Sequence, residues 1–212
     1  MLDTVWFEMR AIVVATLVQL AGMSGPAHAQ PPTAPPTVSG DALMDLLRQP
    51  GHVAFMRHAL APFEGAPKET GRTAEALGPC ETQRNLDERG RADARRIGDA
   101  FRTAGVVFDR IYTSKWCRCR ETAELIAGRP VENLPLINSY FTDPSKAQKG
   151  PAQLAALRAF LNHDLKPGDR VLMVTHGSLI HDLTEFVADE SDIAVVKADG
   201  KGGIVVVASG KP

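Results

Sequence analysis

A three-layer α/β/α sandwich with a mostly parallel central sheet is the architecture this sequence predicts. Apolar runs of strand length, such as those at 52–56 and 171–175, alternate with segments whose apolar residues recur at helical spacing. That alternation is the signature of strand–helix–strand units. The chain has 212 residues, 44% hydrophobic and 23% charged, enough to bury a sizeable core in one domain.

Residues 1–29 read as an export signal. Ala11 to Met23 is an apolar run of 13 residues, preceded by Arg10 and followed by Ala27-His28-Ala29. This is the pattern of a short signal-peptide core and its cleavage site, here after Ala29. The run is shorter than the roughly 20 residues of a spanning helix. Asp3 and Glu8 are unusual in a leader, and Met9-Arg10 is a better start than Met1. Residues 30–38 hold four prolines and are expected to form an extended tether without packing value. The domain is therefore expected at 39–212, in a periplasmic or secreted protein with no stable membrane insertion after signal removal.

Asp41 is placed to cap a short helix with Leu43, Leu46 and Leu47 on one face. The run ending at Met56 reads as a buried strand, and the Gly-, Pro- and Thr-rich segment 59–83 as a long functional loop. Asp87 precedes a helix with Ala94, Ile97, Phe101 and Ala104 inward. Residues 108–113 read as a second strand, with Ser114 placed to cap the next helix, whose stripe is Trp116, Cys119, Ala123 and Ile126. A weak third strand is expected at 131–137, and a helix opened by Pro151 with Leu154, Leu157, Leu161 and Leu165 inward. The strand 171–175 leads into a helix at about 179–188, and a terminal hairpin turns at Asp199-Gly200.

Lys plus Arg is 24 and Asp plus Glu is 25, a net charge of −1. A broad nucleic-acid surface normally carries a basic excess and is not expected here, whereas a small basic pocket is. His58 and His176 stand immediately after the two best strand runs, and ligands bind in the crevice beyond the carboxyl ends of such strands. If the strands are neighbours, the two imidazoles meet. Arg57 lies beside the first histidine and Arg118 in the first turn after the second strand. Arginines and a helix N-terminus converging on two histidines describe a pocket for a tetrahedral phosphate. An imidazole there can take the phosphoryl group covalently while the arginines neutralise its oxygens.

Four segments also resemble one family in its own order: Met56-Arg57-His58-Ala59, Asn85-Leu86-Asp87-Glu88-Arg89-Gly90, the Thr113-to-Ala123 stretch containing Ser114, Arg118 and Thr122, and Val174-Thr175-His176-Gly177. They resemble the histidine phosphatase superfamily (phosphoglycerate-mutase-like), with Ala59 where glycine is usual. The resemblance implies that His58 is the phosphorylated nucleophile and that Arg57, Arg118 and His176 complete the phosphate pocket. Arg84 and Asn85 are expected as substrate contacts at its mouth. The exported, cysteine-bearing chain is similar to the branch that includes lipopolysaccharide heptose phosphatases. The implied activity is metal-independent hydrolysis of a phosphorylated small molecule or glycan, with no cofactor. Many members carry a glutamate that protonates the leaving alcohol; Asn138 stands in its place, and an amide does not act as a general acid. Asp143 is the candidate substitute donor, with an ordinary loop residue as the alternative.

Two other functions compete. A metal-dependent hydrolase would use His58, His176 and His181, but His176 and His181 are five apart, off the helical ligand spacing, and Cys117-x-Cys119 lacks a second pair. A non-catalytic phosphate-binding module would follow from loss of the acid. Of the three cysteines, Cys119 belongs to the apolar stripe, and Cys117 lies off it, toward the loop that contains Cys80. In an oxidising compartment Cys80–Cys117 is the expected disulfide, with Cys119 free, contributing roughly 3–4 kcal/mol in the chain-entropy estimate.

Overall fold

Strand β1 (Val53–Arg57) runs through the middle of the molecule, with its first four residues buried. In the computed structural model, which describes residues 36–67 and 73–212, it belongs to a six-stranded sheet. The other strands are β2 (Arg110–Thr113), β3 (Glu132–Asn133), β4 (Val171–Thr175), β5 (Ile193–Ala198) and β6 (Ile204–Gly210), in the order β3-β2-β4-β1-β5-β6. The pairs from β3 to β1 are parallel, and β5 and β6 add an antiparallel hairpin beside β1. The expected export signal and residues 30–35 of the expected tether lie outside the described residues.

Alternation along the strands divides the core in two. Ala54 and Met56 of β1 with Leu172 and Val174 of β4 face helices α1 (Asp41–Arg48), α2 (Glu88–Thr103) and α3 (Cys117–Ala127). Val53 and Phe55 with Val171 and Met173 face α4 (Lys146–His163) and α5 (Gly177–Thr184). This is the expected sandwich. No helix among the described residues is long and apolar enough to cross a membrane.

Several elements differ locally from expectation. The tether does not lack packing throughout: Val38 N donates to Ser209 O at 2.8 Å and Ser209 N to Pro36 O at 3.0 Å, extending the β6 edge. Asp41 sits in the first turn of α1 rather than capping it; Gly40 is the cap residue, with φ of 56°. The third strand is only two residues long, because Pro135 opens a 3₁₀ turn at Pro135–Ile137. Helix α4 begins five residues before Pro151, at a start where Asp143 Oδ1 accepts from Ser145 N at 2.8 Å. Asp87 caps α2 as expected, accepting from Gly90 N at 2.7 Å. Gly90 is required for a second reason: a Cβ there would collide with the Leu60 carbonyl, so the glycine brings α2 against the loop that follows His58.

Candidate active site

Parallel pairing of β1 with β4 sets Arg57 opposite Thr175, so His58 and His176 leave the sheet side by side. His58 N donates to Thr175 O at 3.0 Å, and the ring centroids lie 5.8 Å apart. A cavity of about 630 Å³ opens over them, with Arg57, Arg84 and Arg118 in its wall.

His58 is 2% exposed, and its Nδ1 lies 2.8 Å from the Ala59 carbonyl oxygen. A carbonyl only accepts, so Nδ1 carries the proton and the neutral ring keeps its lone pair on Nε2. Burial first, and then the Arg118 charge, hold the His58 pKa well below the ordinary histidine value, against the opposing pull of the Ala59 hydrogen bond. His176 is lowered in the same way, by burial, then Arg118, then His58. Both rings are neutral at pH 7.

Each arginine is held by backbone. Arg118, second residue of α3 and 6% exposed, donates Nη1 to Arg84 O at 3.3 Å. Thr122, one turn on, donates Oγ1 to Arg118 O at 2.7 Å and accepts from Ala59 N at 3.1 Å. That Thr122 bridge locks α3 to the residue after His58. Ala59 is fully buried without a left-handed φ, so its replacement of the usual glycine fits. Arg57 donates to Ala188 O at 2.8 Å and pairs with Glu190 at 2.6 Å. A Cβ at Gly177 would stand 3.3 Å from Arg57 Cδ, so this glycine leaves room for the Arg57 side chain. Arg84 donates to the Ala61 carbonyl and lies 4.0 Å from the Phe63 ring centroid.

The structure brings His58, His176, Arg57, Arg118 and Arg84 to one cavity, and leaves out the other candidates. Asn85 donates to Cys80 O at 2.6 Å and lines a separate hollow, so it positions the Cys80 loop instead of meeting substrate there. Asp143 does not line the cavity. Hydrogen bonds from the Ser145 hydroxyl and amide, followed by Lys149 at 2.9 Å, lower its pKa to about 2, so it holds no proton to donate near neutrality. In this structure Asp143 organises the start of α4. Asn138 is also a strut, accepting from Lys115 N at 2.7 Å.

Ser114, expected as a helix cap, instead places Oγ 2.8 Å from His176 Nε2; Trp116 takes the cap position of α3. Cys119 Sγ lies 3.5 Å from the same nitrogen. These contacts and Glu190 were missed because they depend on the β2–β4 register and a loop distant in sequence; only the T-S pair hinted at Ser114. Cys80 and Cys117 form the expected disulfide, with Cα atoms 5.7 Å apart, and Cys119 is buried as a thiol outside it. Among the described residues no three His, Cys, Asp or Glu side chains are grouped as metal ligands.

Residues 53–138 match the histidine phosphatase superfamily (branch 1). Solved structures are similar to this chain in fold. The protein histidine phosphatase SixA complexed with tungstate is 22% identical with a TM-score of 0.52, the match covering 74% of this chain and 95% of that one. A phosphoserine phosphatase from Entamoeba histolytica in complex with 3-phosphoglyceric acid is 17% identical, TM-score 0.52, over 76% of this chain and 97% of that one. At these identities the likeness is one of fold. No curated protein matches the sequence.

Proposed function

We propose that the protein is a phosphomonoester hydrolase that carries the phosphoryl group on His58. The observation behind this reading is a buried, neutral His58 whose Nδ1 proton is held by Ala59, in a cavity walled by three arginines. Nε2 attacks phosphorus, the P–O bond to the leaving group breaks, and the electron pair leaves on that oxygen. Arg57, Arg84 and Arg118 balance the phosphoryl oxygens through the transition state. Water then attacks the phosphohistidine, releasing inorganic phosphate and restoring neutral His58. His176, oriented by Ser114, is placed to hydrogen-bond the group in transfer.

The substrate on this reading is a phosphorylated small molecule or glycan of the cell envelope. The leader pattern supports export, and the Cys80–Cys117 disulfide fits an oxidising compartment. The finer likeness to lipopolysaccharide heptose phosphatases rests on the leader and the cysteines alone. A second reading, a phosphate-binding module without turnover, is favoured by one observation: Asn138 is an amide and Asp143 lies outside the cavity lining. Rapid quenching with a ³²P-labelled phosphoester separates the two. Acid-labile label on His58, absent from His58→Ala, is expected, together with loss of all turnover in that variant. Tight phosphate binding with no label would establish the binder instead.

A further inference from the structure

Five large hydrophobic residues are exposed among the described residues, and three of them, Phe63, Phe141 and Val187, line the one cavity that holds the histidines. They come from separate loops, after β1, after the 3₁₀ turn and after α5, so no single amphipathic element explains them. Phe63 is 80% exposed even though its ring stacks on Arg84, and Phe141 is 62% exposed with Lys146 5.1 Å from its centroid. The mouth is thus apolar directly above a floor of guanidinium groups. A second feature of the same cavity is chemical: no Asp or Glu among the described residues lines it. Glu190 is engaged as the partner of Arg57, and Asp143 as the partner of Lys149. Such a described lining, apolar at the mouth and cationic at the floor, suits a leaving oxygen that is a stable anion.

Resting on the phosphatase reading above, we infer that the preferred substrates are aryl phosphomonoesters, whose ring lies between Phe63 and Phe141 and whose phenolate leaves unassisted. An alkyl or sugar alkoxide is a far poorer leaving group and gains little from an apolar rim, whereas a phenyl ring satisfies both features. Offset or edge-to-face contact with two aromatic rings adds attraction beyond simple burial. The step balances without a co-reactant: the His58 Nε2–P bond forms, the P–O(aryl) bond breaks, the phenolate takes a proton from water, and water hydrolyses the phosphoenzyme. His181, on the cavity wall beside Asp182, is the remaining imidazole there, and the test includes it.

The test compares phenyl, alkyl and sugar phosphates with acetyl phosphate, which has a good leaving group but no ring. Steady-state kcat/KM and phosphohistidine trapping are read on the full chain with its disulfide intact. Phenyl phosphate is expected to exceed the alkyl and sugar esters by about 10²-fold or more, the scale of the proton donation they lack. Phe63→Ala and Phe141→Ala together should lower the phenyl rate about tenfold more than the acetyl phosphate rate. Free phosphotyrosine against a phosphotyrosyl peptide tells whether the ring comes from a small molecule or a protein, and a preference for either supports the inference. Alkyl esters as fast as phenyl, as they would be with His181 acting as acid, overturn it while leaving the phosphatase reading intact. An equal fall on acetyl phosphate in the double variant also overturns it, because the rim would then act through Arg84. Failure of acetyl phosphate itself to label His58 overturns the phosphatase reading, and this inference with it.

Discussion

The floor and the mouth of the cavity are built on opposite principles. At the floor, His58 and His176 stand at the ends of buried, hydrogen-bonded parallel strands, and Arg118 in the first turn of a packed helix. At the mouth, Phe63, Phe141 and Val187 project from loops with most of their surface in water. The floor is over-determined: β-sheet register, the Thr122 bridge and the Gly90 contact each fix it independently. The mouth is held by single contacts such as Arg84 on Phe63. Phosphoryl chemistry demands placement within fractions of an ångström, whereas substrate choice tolerates loops.

Removing Arg118 breaks the floor most severely after loss of His58 itself. Arg118→Ala is expected to cost on the order of 10²–10³ in kcat/KM, the usual consequence of deleting one charged stabiliser of a transition state. The variant should remain folded, because the apolar stripe of α3 is untouched. Rates within a few-fold of wild type would show that Arg57 and Arg84 suffice to bind the transferring group.

The disulfide joins the two regions. Cys117 precedes Arg118 in α3, and Cys80 sits in the loop whose Gln83 side chain accepts from Cys117 N at 3.0 Å. Replacing Cys80 and Cys117 together by serine removes a closure spanning 37 residues, worth about 4 kcal/mol in the chain-entropy estimate. Urea unfolding reads that loss. With Arg118 presented from the same turn, kcat/KM should fall for ring-bearing and ringless substrates alike. A fall confined to aryl substrates would place the disulfide with the mouth instead.

The floor was legible in the sequence and the mouth was not, for a physical reason. Strand-end histidines announce themselves, because a short apolar run fixes both the strand and the residue that leaves it; His58 and His176 needed only adjacency, which the parallel β1–β4 pairing supplies. The helix stripe of Trp116 and Cys119 gave the phase that put Cys117 toward Cys80. Asp143 misled because a carboxylate near an expected acid position carries no mark of its hydrogen bonds, and Ser145 and Lys149 decide its charge. Asn85 misled in the same way, its amide being turned to Cys80. Ser114 and Glu190 reach the site through pairings long in sequence, which local patterns do not encode.

The protonation of the floor gives a finer test. His58 and His176 should both remain neutral at about pH 6 in the substrate-free protein, below the ordinary histidine value. Nitrogen-15 NMR of the imidazoles reads this directly, and His58 should show the Nδ1–H tautomer. Stability follows with a definite sign. The unfolded chain takes up protons on these histidines below about pH 6.5 while the folded state does not, so their contribution falls as pH drops through that value. An imidazolium at His58 near pH 7 would contradict a site whose positive charge comes from arginine.

Asp143→Asn has the smallest expected effect on catalysis and draws the boundary of the site. An acid that protonated leaving alcohols would make this variant lose alkyl substrates selectively, by about 10²–10⁴-fold, and spare phenyl phosphate. The geometry calls for the reverse: the alkyl-to-phenyl rate ratio stays the same, and the change appears in stability. Asp143 is lowered from the ordinary 3.8 to about 2, so its ionised form favours the folded state above pH 3.8, and that contribution is lost as pH falls toward 2. Wild type should therefore show an extra step of acid destabilisation in that window, which Asp143→Asn abolishes, with a lower Tm than wild type at pH 7. Selective loss of alkyl turnover would return Asp143 to the chemistry and move the edge of the active site out to the start of α4.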